Sequence, residues 1–234
     1  MNKKNHYTYN YKKITNDLKK SGFNCDELKR SSNTLSYNDG GKYFLKEIAY
    51  KPTGIALGCP LPNIFSSELE HITEKIENKL IETFEMCDNA IAYVPKKSYH
   101  ITVLNRSHFD HDNTIIPLNY VTKNNATKII RNTNINHIKI HFNGIVLTRS
   151  GRLLVTGYPL DNKLQQIRYL LSSSLPELCV NIPSLAHIKI GHLLTPFSLT
   201  KKHNFLSTIL EYGNVIDFII TFTDFYTPLG RIDL

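Results

Sequence analysis

The sequence predicts an α+β protein with a mostly antiparallel sheet, and three observations carry that prediction. β-forming runs at 91–95, 99–105, 135–148, 152–158, 186–194 and 215–226 are mixed with helical stretches and do not repeat a regular strand–helix unit. The runs 135–148 and 152–158 are separated by a Ser150-Gly151 turn, the mark of antiparallel neighbours. The segments 64–86 and 161–175 carry apolar residues at three- and four-residue steps, the spacing of amphipathic helices.

Taken in order, YNYKKITNDLKKS (9–21) reads as a short basic helix ending at Gly22. Residues 31–52 are polar and read as a surface loop. TGIALGCPLP (53–62) reads as a buried strand closed by prolines. The helix 64–86 places Leu69, Ile72, Ile76, Leu80 and Phe84 on one face, with Ser66 or Ser67 as its N-cap. The strands 91–95 and 99–105 are followed by a polar loop from Arg106 to Asn113 and a weaker helical stretch at about 114–132. After the hairpin comes helix 161–175, capped by Asp161, with Leu164, Ile167, Leu171 and Leu175 inward. A strand at 186–194, a helix at about 199–211 and a strand at 215–226 complete the chain. The two halves share a similar pattern of elements, which predicts two pseudo-equivalent lobes.

With 234 residues, 41% of them hydrophobic, the chain has apolar material for one compact unit. The expectation is therefore a single two-lobed domain over 1–234, with 1–52 as an N-terminal helix and loop extension. Lys+Arg 28 against Asp+Glu 20 leaves +8, which favours polyanionic partners over acidic ones. Cys25, Cys59, Cys87 and Cys179 form no CxxC pair and no metal-finger spacing, so reduced thiols and a cytoplasmic location are expected. MNKKNHYTYNYKK has no apolar core of a signal peptide, and no run of about eighteen apolar residues occurs, so a soluble protein with no membrane partner is expected. A monomer is the default.

Chemistry is carried by the histidines. On a strand, side chains two apart share a face, so His-apolar-X-apolar places an imidazole beside residue X. His100-Ile101-Thr102-Val103 fits this pattern after a proline-bearing turn. His187-Ile188-Lys189-Ile190 and His137-Ile138-Lys139-Ile140 fit it with lysine at the hydroxyl position. His137 shares its hairpin with His141, which reads as a solvated or partner-facing edge. His71-Ile72-Thr73 lies within a helix and reads as a helix-surface histidine. The cluster His108, Asp110, His111 and Asp112 reads either as a polar loop or as ligands for a divalent ion. Tyr99, Arg106 and Tyr158 are further candidates for gripping a substrate, against the plainer reading of structural tyrosines and a solvated charge.

YVPKKSYHITVL (93–104) and AHIKIGHLL (186–194) resemble the two motifs of the two-histidine phosphoesterase superfamily, the LigT-like and cyclic-phosphodiesterase-like enzymes. The resemblance extends over most of the chain from about residue 53. It implies a bilobal fold in which two mostly antiparallel sheets flank a central cleft with helices outside. It implies a metal-independent phosphodiesterase without a cofactor, in which His100 and His187 are the catalytic acid and base. Thr102 and Lys189 would bind the substrate phosphate, and RNA ends, oligonucleotides or cyclic nucleotides would be substrates, with 2′,3′-cyclic phosphates or 2′–5′ and 3′–5′ linkages. The family usually has Ser or Thr where this chain has Lys189, a departure that leaves two alternatives open. One is an inactive RNA- or nucleotide-binding member of the same fold; the other is a metal-dependent hydrolase using His108, Asp110 and His111.

Overall fold

The computed structural model describes residues 3–28, 36–46, 54–58, 61–84, 89–105, 119–135, 137–175, 182–194 and 202–232. Among these the helices longer than four residues are α1 (Lys3–Ser21), α2 (Asn63–Phe84), α3 (Tyr120–Asn132), α4 (Lys163–Ser174) and α5 (Lys202–Gly213), and a single helical turn covers 25–28. The strands are β1 (Ser36–Asp39), β2 (Lys42–Leu45), β3 (Ile55–Leu57), β4 (Ile91–Tyr93), β5 (Ile101–Leu104) and β6 (Ile138–Leu147). They continue with β7 (Arg152–Pro159), β8 (Ala186–Leu193), β9 (Asp217–Phe222), β10 (Phe225–Thr227) and β11 (Gly230–Ile232). The class is α+β, as the sequence predicts.

All eleven strands join one curled, hydrogen-bonded sheet, where two sheets were expected. The reason lies in β8. One of its edges pairs with β7 from Ala186 to His192. The other pairs first with β5 through Ile101↔Ile188, then with β4 through Ile91↔Leu193, Ala92↔His192 and Tyr93↔Gly191. A strand bonded along both edges cannot separate two sheets. Every pairing is antiparallel except β2 with β4.

Local chemistry explains the elements that frame the site. The β6–β7 hairpin turns at Ser150-Gly151, where Gly151 has φ +86°, a left-handed conformation that glycine adopts without strain. Helix α2 begins at Asn63, ahead of both expected caps; Ser66 is inside it and its hydroxyl donates back to the Pro62 carbonyl at 3.3 Å. Asp161 was expected to cap α4, but the cap position is taken by Asn162, whose side chain makes no capping bond; Asp161 stands one residue earlier and accepts the Lys163 N–H at 2.9 Å. Residues 36–45, expected to be loop, form the β1–β2 hairpin; Asp39-Gly40-Gly41 was its turn signal. The single strand expected over 215–226 is broken into β9 and β10 at Thr223-Asp224.

The core is one cluster of Ile, Leu, Val and aromatic side chains between sheet and helices. The N-terminal helix belongs to it, with Tyr7, Tyr11 and Leu18 buried. Tyr11 ties α1 to the ends of β7 and β8: its hydroxyl accepts the Gly157 N–H at 3.1 Å and donates to the Ala186 carbonyl at 2.5 Å. No helix among the described residues is long and apolar enough to cross a membrane.

Candidate active site

The register of β5 and β8 decides which side chains meet. Because Ile101 is paired with Ile188 in antiparallel sense, His100 stands opposite Lys189 and Thr102 opposite His187. The isoleucines are fully buried on one face. His100, Thr102, His187 and Lys189 therefore occupy the corners of one patch on the other face, and all four are half-buried. His100 is the residue just before β5, following the Lys96–Ser98 turn.

Arg168 holds this arrangement in place. β5 and β8 share one bridge and then diverge, and the fully buried guanidinium of Arg168 on α4 fills the gap. Its Nη2 donates to the Thr102 and Leu185 carbonyls at 2.7 Å each, and its Nε donates to the Val103 carbonyl at 3.1 Å. These bonds fix the backbone at Thr102 and Val103 and just ahead of His187.

The two imidazoles have different environments. His100 Nδ1 lies 2.8 Å from the Ser98 carbonyl, which only accepts, so Nδ1 carries the proton and Nε2 is left as a base. His187 Nδ1 is buried with no hydrogen-bond partner. An N–H there would be stranded, so the proton of the neutral ring sits on Nε2, which becomes a donor. Burial lowers the pKa of His100, with Lys189 adding to the effect. Burial pushes His187 down to about 4, helped by Arg168, His100, Arg152 and Lys189. Lys189 is lowered to about 7 by burial and by Arg152. Among the described residues, the side chains that lower these three pKa values electrostatically are Arg152, Arg168, Lys189 and His100. A patch with these cations about it is suited to an anion.

The other candidates are placed as follows. His71 is on the exposed surface of α2, 3.9 Å from Glu74. His137 Nε2 is 2.9 Å from Lys163 Nζ, and His141 Nε2 is 2.5 Å from Asp217. Their strand β6 is not the edge expected, since β7 and β9 flank it on both sides. Tyr99 is buried in the core, and Tyr158 packs edge-on against Tyr11 at 5.6 Å. Arg106, His108, Asp110 and His111 lie outside the described residues, and among those described no cluster of His, Cys, Asp or Glu is placed to hold a metal. Concave volumes of about 410 and 450 Å³ lie away from the histidines, one beside β9 and one between α3 and α4.

Arg168 escaped the sequence reading although its signal was present: a cation among Leu164, Ile167 and Leu171 on the buried stripe of α4. Arg152 and His192, also near Lys189, had no such signal. The sequence matches no protein-family model and no curated protein.

Proposed function

We propose that this protein is a metal-independent phosphodiesterase of the two-histidine type, acting on RNA ends, oligonucleotides or cyclic nucleotides. The observation that carries the reading is the β5–β8 register, which gathers His100, Thr102, His187 and Lys189 on one face. On this reading the curled sheet comprises the two lobes of that fold, with β8 common to both.

For a 2′,3′-cyclic phosphate, His100 Nε2 removes a proton from water as the water oxygen bonds to phosphorus. His187 Nε2–H protonates the departing ribose oxygen as its bond to phosphorus breaks. The Thr102 hydroxyl and the Lys189 ammonium hold the non-bridging oxygens and offset their developing charge. The bound phosphate also stabilises the protonated form of His187, whose pKa is otherwise about 4. The acid therefore becomes charged when the substrate is present.

The test is to incubate the protein in EDTA with 2′,3′-cyclic mononucleotides, 2′–5′ oligoadenylate and cyclic dinucleotides. Turnover that persists in EDTA is the expected result. Loss of turnover on chelation would instead move the site to His108, Asp110 and His111. Binding without turnover of any substrate would favour an inactive, nucleotide-binding member of the fold.

A further inference from the structure

The strands at the margins of the sheet are not alike. Among the described residues, β1, β11 and β9 each pair along one edge only, with β2, β10 and β6. β1 is four residues of Ser, Tyr, Asn and Asp, and β11 is three residues with Arg231 at its centre. Short polar or charged strands of that kind discourage further pairing. β9 runs longer, and the Phe-Ile-Ile-Thr-Phe that follows Asp217 contains no lysine, proline or glycine. Such an edge is a template for another strand.

The register tells which backbone groups of β9 face outward. The Lys139 carbonyl accepts the Leu160 N–H, so Lys139 turns its backbone toward β7. The N–H and C=O of one residue point the same way and alternate along a strand, so Ile138, Ile140 and Phe142 face β9. Their partners there are Phe222, Ile220 and Phe218. Asp217, Ile219 and Thr221 therefore point their N–H and C=O away from the sheet. Their side chains share the solvent face: Ile219 is 54% exposed, and Asp217 and Thr221 are exposed as well.

We propose that β9 pairs with β9 of a second copy of this chain, antiparallel about a two-fold axis at Ile219, so that the sheet continues through a homodimer. The proposal is independent of the phosphoesterase reading. In this register Asp217 meets Thr221 of the second copy, and Ile219 meets its own counterpart. These are the residues whose backbone groups face outward, so each pair exchanges both of its N–H···O bonds. The side chains suit the same arrangement. The two Ile219 side chains come within about 5 Å and cover each other. Lys139 is exposed and stands beside Thr221, so it lies two strands, or about 10 Å, from Asp217 of the second copy. A lysine and an aspartate span that distance, and symmetry makes the ion pair twice. Charge complementarity thus selects a second copy over an unrelated strand. Because the pairing uses the edge of both chains, the assembly closes at two copies.

The experiment is sedimentation velocity of the full chain over a concentration series. The wild type should pass from one copy to two with a dissociation constant on the order of 10 µM, as suits a small interface. Ile219→Lys sets two ammonium groups face to face at the axis and should raise that constant at least about tenfold. Asp217→Lys and Lys139→Glu should each weaken the dimer too, because each opposes like charges between the copies. An equimolar mixture of those two variants should dimerise about as well as the wild type, since each chain then supplies the charge that the other lacks. Thermal melts verify that the variants fold. A wild type that stays monomeric about tenfold above the expected constant would overturn the proposal. So would a dimer that survives Ile219→Lys, or charge variants that fail to recover on mixing.

Discussion

The tetrapeptide His-Ile-Lys-Ile occurs twice in this chain, at 137–140 and at 187–190, and the two copies have different surroundings. In both, the isoleucines are buried in the core. In the first copy the lysine is exposed, and the histidine lies against Lys163. Across from it, β9 presents exposed Thr221 and, at 54% exposure, Ile219. In the second copy the polar face is half-buried and meets His100 and Thr102 from β5 and the buried Leu154 and Thr156 from β7. Both strands are paired along both edges, so pairing alone does not distinguish them. The difference is what the polar face looks onto: solvent for β6, other site residues for β8.

The sharpest way to break this comparison is at the base. His100→Ala should lose about 10²- to 10⁴-fold in kcat/KM on a cyclic mononucleotide. An activated p-nitrophenyl phosphodiester, whose leaving group needs no proton, separates the roles. With it His187→Ala should recover most of its activity and His100→Ala should not. Recovery in both variants or in neither would reject the assignment of His100 as base and His187 as acid.

Arg168 offers the next largest effect, this time on stability. Arg168→Met strands three buried carbonyls and should cost about 3 kcal/mol, read from denaturant midpoints. Lys163→Met, on the same helix but beside the solvent-facing copy, should cost less than about 0.5 kcal/mol. A small effect at Arg168 would mean that β5 and β8 hold their divergence without it.

pH sharpens the contrast further. His187 and His192, with pKa values of about 4 and about 3, bind protons more weakly folded than unfolded. Stability is therefore complete above the unfolded value near 6.5 and falls as pH drops below it, by up to about 1.4 kcal/mol per pH unit for each ring. Lys189, lowered to about 7, makes stability rise again between pH 7 and its unfolded value of 10.5. Lys189→Met should abolish that alkaline rise in a denaturation series, and Lys189→Arg should keep activity from declining above pH 7. A flat profile in the wild type would show that the site is better solvated than its geometry implies. His141→Ala should likewise change stability by less than about 0.5 kcal/mol, since its contact with Asp217 is a surface pair.

Much of this was legible before the structure. Periodicity located α2 and α4 to within two residues at each end, and the Ser150-Gly151 turn located the β6–β7 hairpin. Alternation put His100 with Thr102 and His187 with Lys189, because a two-residue period is local. What was lost is what periodicity cannot carry. Which strands neighbour each other is a long-range property, so the single sheet was not foreseen. A bulge on β8 at Ile190, where Leu153 pairs with Gly191 and Leu154 with Lys189, reverses the alternation without any change in the letters, so His192 and Arg152 stayed hidden. The β1–β2 hairpin was missed for a different reason: its Asp39-Gly40-Gly41 turn was passed over because the flanking residues are mostly polar.

The most direct test of the account uses the repeated tetrapeptide as its own control. His187→Ala and His137→Ala remove the same residue from the same four letters, and kcat/KM toward a 2′,3′-cyclic mononucleotide is measured in EDTA for both. The account predicts a loss of about 10²- to 10⁴-fold for His187→Ala and a change of less than about twofold for His137→Ala. Equal losses, or turnover in which His187→Ala matches the wild type, would contradict it.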